Sequence, residues 1–190
     1  MKVLVVYGSK YGSTREIAES IGAELQRHAH EVVVHAGGDA PAPDGHDAVV
    51  IGSGVYMGQW LPEASRYLDA HAGALARLPV WLFSSGPLGH DDPQPAGEPQ
   101  QVAQLVAQVA AREHATFVGR LDRKVLRWPD KLIVRVVKAP NGDFRDWDAI
   151  RAWACSIAEA LAEAGVAETA TTEPPCAGAP TAAPASGGPR

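Results

Sequence analysis

Cysteine and net positive charge are both scarce in this sequence of 190 residues. The only two cysteines, Cys155 and Cys176, have no CxxC spacing and no histidine near them in the chain, so we expect both to be structural or incidental. The seven histidines show no ligand spacing either, and we expect no metal site. A formal net charge of −5 gives no global positive field, which excludes a general nucleic-acid binder.

Long apolar runs are also missing. A membrane span needs about 18 consecutive apolar residues, and even the segment 132–137 is interrupted by Arg135. The chain passes directly from Met1 and Lys2 into an apolar run, without the order of a signal peptide, so we expect no leader and a cytoplasmic protein. The motifs GxxxxGK[ST], GxSxG and HExxH do not occur, which leaves ATPase, serine hydrolase and zinc protease functions unsupported.

Short apolar strands alternate with amphipathic helices along the chain. Strands are predicted at residues 2–7, 31–35, 47–52, 78–84 and 116–121. Apolar residues recur at helical spacing in residues 14–27, 62–71, 99–112 and 147–163. This alternation predicts an α/β fold in which right-handed crossovers join parallel strands and helices cover both faces of the sheet.

The last part of the sequence has a different composition. From residue 165 onward almost every residue is Ala, Thr, Pro, Gly, Ser or Glu, and none is aromatic. Such a segment buries too little apolar surface to offset its ordering entropy. We therefore predict one domain at 1–164 and a disordered Ala/Pro/Gly-rich tail at 165–190.

Small and hydroxyl-bearing residues follow the first predicted strand, where a helix begins at once. Ligands of open parallel sheets lie beyond the carboxyl ends of the strands. The N–H groups and dipole of a helix N-terminus favour a phosphate there. The candidate phosphate-binding residues are Ser9, Lys10, Tyr11, Gly12, Ser13 and Thr14. That Ser13 or Thr14 merely caps the helix stays open as the alternative.

Two further loops at predicted strand ends are rich in glycine and serine. Residues that could form one wall beside a flat ring are Ser53, Gly54, Val55, Tyr56, Met57 and Gly58. The opposite wall is predicted at Ser85, Gly86, Pro87, Leu88 and Gly89. Tyr56, Met57 and Trp60 could pack against an aromatic face. Ordinary tight turns are the alternative.

Taken together, these three loops resemble those of a known family. VVYGSKYGSTREIA at 5–18 resembles the FMN-phosphate loop of flavodoxins, while IGSGVYMG and FSSGPLG resemble their two isoalloxazine-flanking loops. The resemblance covers residue 2 to about residue 164. It implies a flavodoxin-like, five-stranded parallel sheet of order 2-1-3-4-5 with FMN as cofactor. Because the flavin supplies the redox chemistry, no side chain is assigned as catalytic.

Within that superfamily the chain most resembles the menaquinone-dependent protoporphyrinogen IX dehydrogenases. The resembling segments are IGSGVYMG, GRLDRKVLRWPDKLIVRVVK and GDFRDWDAIRAWA. This implies an FMN-dependent oxidoreductase of heme biosynthesis that passes electrons between a porphyrin-like small molecule and a quinone. The alternative is an electron-transfer flavodoxin that shuttles electrons between redox protein partners. A phosphorylation receiver is excluded, because Gly52 and Ser53 stand where it needs an aspartate.

Residues 120–138 are strongly basic within this acidic chain. Only Asp122 and Asp130 oppose the seven basic residues Arg120, Arg123, Lys124, Arg127, Lys131, Arg135 and Lys138. We expect this segment to border the flavin pocket and to bind substrate carboxylates. Peripheral contact with an anionic membrane at its inner face is a second expectation. The alternative is that a helix after Pro129 packs its apolar side on the sheet and leaves the basic side solvated.

Overall fold

A parallel sheet is the centre of the protein in a computed structural model, which describes residues 1–86, 100–122, 124, 126, 128, 130 and 141–171. Its strands are β1 (Lys2–Gly8), β2 (Glu31–Ala36), β3 (Ala48–Tyr56), β4 (Gln59–Trp60), β5 (Val80–Ser85) and β6 (Glu113–Phe117). The strand order is β2-β1-β3-β5-β6 with every neighbour parallel, and the short β4 pairs antiparallel with β3. If the short β4 is left out of the numbering, the five parallel strands have the order 2-1-3-4-5, so the predicted order is confirmed.

In the described part of the chain, four helices of ten or more residues cover the two faces of the sheet. They are α1 (Ser13–Arg27), α2 (Pro62–Leu75), α3 (Gln100–Val109) and α4 (Trp147–Thr171). Two further short strands, β7 (Arg120–Leu121) and β8 (Gly142–Asp143), pair as an antiparallel ribbon outside the main sheet. No helix in the described part of the chain is both long and apolar enough to cross a membrane.

The core lies in two layers because side chains of the central strands alternate between the faces. On β1, Val3 and Val5 pack with α1 and α4, whereas Leu4 and Val6 pack with α2 and α3. All four side chains are fully buried. A continuous apolar run therefore forms a strand that is covered on both sides.

One glycine in β3 is required by the packing of its neighbour. A Cβ added at Gly52 would lie 1.9 Å from Cζ of Phe83 on β5, so any side chain there would displace the ring. Phe83 in turn packs edge-on against Trp153 of α4, with ring centroids 6.1 Å apart. Gly52 thus allows an aromatic ring to fill the layer between the sheet and α4.

Several predicted boundaries were wrong, each for a local reason. β3 continues past Gly52 to Tyr56 because its end pairs with β4 in a hairpin. β6 begins at Glu113, before the predicted start at residue 116, and pairs with β5 from Trp81 onward. α3 ends early because Ala110 takes a left-handed conformation with φ of 49°.

The backbone at the end of the predicted domain also differs from the prediction. α4 continues beyond Ala164 to Thr171, so residues 165–171, which we assigned to a disordered tail, are helical. Only Ala167, Glu168 and Ala170 in this segment are strong helix formers, so these turns continue the helix that begins at Trp147 and do not reflect the composition of the segment itself. Residues 172–190 lie outside the described part of the chain.

Candidate functional site

Residues 9–14 join β1 to the first turn of α1 and are called the phosphate loop here, after their predicted ligand; they present an uncapped helix N-terminus. Gly12 is the N-cap residue of α1, with φ of 87°, and no side chain makes a capping hydrogen bond there. Glycine suits this left-handed conformation because it has no Cβ. Ser13 and Thr14 are the first residues inside the helix, so the alternative that one of them is its cap was wrong. The first N–H groups of a helix have no partner within it and are available to an anion.

Side chains from distant parts of the chain hold this loop in shape. The Gly12 N–H donates to Ser9 Oγ at 3.1 Å, and the Ser9 N–H donates to Glu63 Oε1 at 2.7 Å. The Arg120 N–H donates to Ser13 Oγ at 3.0 Å. Contacts from α2 and β7 thus fix the loop before any ligand arrives.

Lys10 and Tyr11 meet an acidic partner from the basic segment. Lys10 Nζ lies 2.8 Å from Asp130 Oδ2, and the Tyr11 hydroxyl donates to the same carboxylate. The Lys10 ammonium also lies 5.2 Å from the ring centroid of Tyr56. Burial, with the nearby Tyr11 and Asp130, raises the pKa of Tyr56 to about 12, so its phenol stays neutral. Lys10 is therefore an exposed but paired charge, with 37% of its side chain accessible.

An ion-pair network lies beside the first turn of α1. The carboxylate of Glu16 is 2.8 Å from Arg120 Nη2 and 2.8 Å from Arg145 Nη1. Arg145 also binds Asp143 at 2.6 Å, and only 2% of its side chain is exposed. Burial opposes ionisation of Glu16, but the hydrogen bond and charge of Arg145, together with Arg120, lower its pKa overall. The network offsets the negative charge that Glu16 places near the predicted anion site.

Hydrogen bonding to Arg145 also lowers the pKa of Asp143, against the opposing effect of burial. For Arg145 itself, burial disfavours the charged form, but its hydrogen bonds to Asp143 and Glu16 and their charges raise its pKa overall. The guanidinium also lies 4.3 Å from the ring centroid of Trp147. All charges of this network therefore persist at neutral pH.

The register of the sheet brings the three predicted loops to one edge. Gly8 at the end of β1 is level with Ser53 on β3, and Gly54 is level with Ser85 on β5. A Cβ added at Gly54 would lie 3.1 Å from Thr14 Oγ1, so β3 and the phosphate-loop helix approach closely. The described loop residues thus surround one region of the carboxyl edge.

The predicted wall after β3 forms a β-hairpin between β3 and β4, with a two-residue turn. Met57 and Gly58 have φ of 51° and 75°, the positive values that tight hairpin turns require. Met57 is 95% exposed and Tyr56 is 39% exposed. Ser53 is buried, donating to Gly54 O and accepting the Leu61 N–H at 2.9 Å. The hairpin therefore offers Tyr56 and Met57 outward, while the Ser53 hydroxyl holds its base together.

Trp60 belongs to the core, and the suggestion that it packs against a flat ring was wrong. It is 3% exposed and packs with the α2 and α3 layer. Its Nε1 donates to Ser84 Oγ at 2.8 Å, and the same oxygen lies 2.9 Å from His114 Nε2. Position after the third strand suggested exposure, but the hairpin turns this residue inward.

The predicted site extends beyond the described part of the chain. Pro87, Leu88 and Gly89 lie outside the described residues, as do most of the basic residues in 120–138 and any helix after Pro129. Among the described residues of this segment, Arg120 and Asp130 both contact the phosphate loop. Sequence reasoning assigned no site role to Glu63 or to Arg145, although Arg145 lies within the quoted segment GDFRDWDAIRAWA.

A cavity of about 580 Å³ opens on the β2 side of the phosphate loop. Residues that line it include Ser9, Lys10, Gly37, Glu63, Arg66 and His71. It lies beside α2, whereas the two predicted ring walls follow β3 and β5. This cavity therefore adjoins the phosphate loop without being the predicted ring site.

Fold and loops together define a doubly wound α/β protein with an uncapped helix N-terminus at the first strand–helix turn, and comparison with known families agrees on the fold. The flavodoxin-domain family profile matches residues 4–148, and the chain belongs to that family. The chain is 23% identical over 173 residues to protoporphyrinogen IX dehydrogenase (quinone) of Escherichia coli K12, covering 83% of this chain and 95% of that protein.

Solved structures show the same fold. A flavodoxin from the domain Archaea matches with a TM-score of 0.60 at 17% identity, over 85% of this chain and 99% of the other. Rubredoxin oxygen:oxidoreductase from Desulfovibrio gigas matches with a TM-score of 0.57 at 15% identity, over 85% of this chain and 36% of the other.

Proposed function

We propose that this protein binds FMN at the carboxyl edge of its sheet and oxidises a porphyrinogen-type molecule with a quinone as acceptor. The observation that carries the proposal is the uncapped N-terminus of α1, led by Gly12 and flanked by the glycine- and serine-rich ends of β3 and β5. Bound FMN supplies one-electron and hydride chemistry, so the protein has to bind, orient and shield it.

The donors around the phosphate loop suit a phosphate ester. The N–H groups of Ser13 and Thr14 and the helix dipole would bind its oxygens, and the hydroxyls of Ser9 and Thr14 add donors. The described charges nearby largely cancel, because Lys10 pairs with Asp130 and Glu16 pairs with arginines. The binding energy would therefore come mainly from oriented amides.

The residues of the two walls suit a flat ring. Tyr56 presents a neutral, partly exposed phenol, and Met57 presents a polarisable side chain beside it. Gly54 and Gly86 let the ends of these strands pack closely, since a Cβ would lie 3.1 Å from Thr14 Oγ1 at Gly54 and 3.0 Å from Val55 Cβ at Gly86. These residues would orient the ring and exclude water from one side of it.

The substrate assignment rests on the basic segment and on the relative's name. Both Arg120, at the start of the segment, and Asp130, near its middle, contact the phosphate loop, so two points of the segment lie beside the proposed FMN site. Trp128, near Asp130 in the chain, is 80% exposed and could stack on a planar macrocycle. Lysines and arginines of the segment would bind its carboxylates, and could also hold the protein at an anionic membrane.

A shuttle flavodoxin remains the second candidate function. Met57 is 95% exposed and Trp128 is 80% exposed, and exposed apolar side chains near a cofactor suit docking of a redox protein. Such a protein would need no small-molecule substrate. The two functions therefore differ in whether a small molecule is oxidised.

The test uses FMN-loaded protein, protoporphyrinogen IX and a soluble menaquinone analogue, with porphyrin fluorescence as the readout. We expect FMN-dependent and quinone-dependent oxidation. Trp128→Ala should lower kcat/KM about tenfold, equivalent to about 1.4 kcal/mol of lost ring contact, with unchanged FMN affinity. Trp128→Phe, the matched control, should keep most of the activity.

Each other result has a defined meaning. Absence of oxidation by a flavin-loaded protein that still exchanges electrons with a redox protein would establish the shuttle. A purified protein that takes up no FMN would overturn both functions.

A further inference from the structure

Three side chains with metal-ligand chemistry converge at the C-terminal end of α1, far from the proposed FMN site. Glu24 lies in the last turns of α1, His28 is its C-cap residue, and Cys155 comes from α4. From the sequence we expected no histidine partner for Cys155. The fold corrects this expectation, because His28 lies beside the thiol although 127 positions separate the two residues.

The three ligand atoms form a nearly equilateral triangle. Cys155 Sγ lies 3.6 Å from Glu24 Oε1 and 3.6 Å from His28 Nε2, and the last two atoms are 3.7 Å apart. In tetrahedral zinc sites the metal lies about 2.0–2.3 Å from such atoms, which places the ligand atoms about 3.3–3.6 Å from one another. A single ion therefore fits with shifts of only a few tenths of an ångström.

The carboxylate of Glu24 is oriented for binding through one oxygen. Its Oε2 pairs with Arg27, while Oε1 faces the thiol and the imidazole. Glu24 is 8% exposed, so this arrangement is held within the helix packing. An outer hydrogen-bond partner that fixes a ligating carboxylate is a regular feature of protein metal sites.

We propose that Glu24, His28 and Cys155 bind a zinc-type divalent ion, with the fourth position left to water. A thiolate, an imidazole and a single carboxylate oxygen suit a borderline ion such as Zn²⁺, whereas Mg²⁺ and Ca²⁺ prefer oxygen ligands. The His28 side chain is 42% exposed, which leaves an entry route.

This proposed metal site lies far from the phosphate loop, so its role would be structural. Helix α1 runs from Ser13 to Arg27, a length of about 22 Å, so the site and the phosphate loop lie at opposite ends of it. An ion bound here would clamp α1 to α4 and would not touch a cofactor at the other end. The proposal therefore stands or falls independently of FMN binding.

The test titrates reduced, full-length protein with Co²⁺ and then with Zn²⁺. We expect one Co²⁺ per chain with a thiolate-to-cobalt absorption band in the near ultraviolet, displaced by one equivalent of Zn²⁺. Cys155→Ser should remove the band and weaken Zn²⁺ binding about a hundredfold or more. Cys176→Ser changes the only other cysteine and is the matched control, with wild-type binding expected.

Thermal unfolding gives a second, independent readout. Saturating Zn²⁺ should raise the Tm of wild type and of Cys176→Ser, because an ion that binds only the folded state stabilises it. It should not raise the Tm of Cys155→Ser or His28→Gln. Equal Zn²⁺ affinity in wild type and Cys155→Ser, or loss of the cobalt band only in Cys176→Ser, would overturn the proposal.

Discussion

The two ends of α1 offer different kinds of chemical group to the ligands that we propose for them. The N-terminal end offers backbone N–H groups and small residues from one stretch of chain, led by Gly12. The C-terminal end offers the side chains of Glu24, His28 and Cys155, which come from two helices. The backbone groups at the N-terminal end belong to consecutive residues, so a sequence motif can reveal them. The side chains at the C-terminal end come from distant residues, so only folding brings them together.

The largest effect should come from a charge placed at the N-terminal end. Gly12→Asp puts a carboxylate where a phosphate would bind, and we expect FMN affinity to fall about a hundredfold, equivalent to about 3 kcal/mol. Gly45→Asp is the matched control, because Gly45 has a similar φ of +82° and open space around it. Flavin fluorescence titration measures both affinities, and equal values for the two variants would contradict the proposed site.

A smaller effect is expected from the ion-pair network beside the same end. Arg145→Met removes the pairs with Glu16 and Asp143, and we expect the free energy of unfolding to fall by about 2 kcal/mol. The carboxylates left behind are 32% and 42% exposed, so solvent screens part of the loss. Arg151→Met, which removes an arginine paired with Asp148, should cost less than about 0.5 kcal/mol.

Arg145→Met should also change how the free energy of unfolding depends on pH. The folded-state pKa values of Glu16 and Asp143 are lowered, so their stabilisation is present at neutral pH and is lost as the pH falls below about 4. Arg145→Met should therefore lose less stability than wild type between pH 6 and pH 3 in urea unfolding. A parallel loss in both proteins would show that Arg145 does not set these pKa values.

The smallest effect is expected at the C-terminal end in the presence of a chelator. His28→Gln should change the free energy of unfolding by less than about 0.5 kcal/mol, because the imidazole is 42% exposed and its contacts are surface contacts. A loss of more than about 1 kcal/mol without metal would mean that this end is stabilised by the side chains alone.

The sheet could be predicted from sequence because its signals are local. The run of Val3 to Val6 predicted a strand covered on both faces, and alternation with helices predicted parallel neighbours. The strand order came from the resemblance to flavodoxins. The hairpin after β3 was missed because Met57, a residue that rarely takes positive φ, precedes Gly58 in the turn. That error also misplaced Trp60.

The contacts that complete the candidate site could not be predicted, since they depend on long-range packing. Nothing near Arg145 in the sequence indicates that it lies against Glu16. From the sequence, Glu63 is only an acidic residue at the start of a helix, and its contact with Ser9 is not indicated. The same holds for His28 and Cys155. Spacing rules find ligands on one element, and these pairs span two elements.

The pairing of Glu16 also bears on how the chain folds as it is synthesised. Glu16 precedes Arg120 by 104 residues and Arg145 by 129 residues. At about 5–20 residues per second, a ribosome needs roughly 6–26 s to deliver Arg145 after Glu16. Arg120 is synthesised 104 residues after Glu16, so for most of that interval the first helix has neither arginine beside its first turn. The phosphate loop is therefore completed late in translation, although it is among the first segments to leave the ribosome.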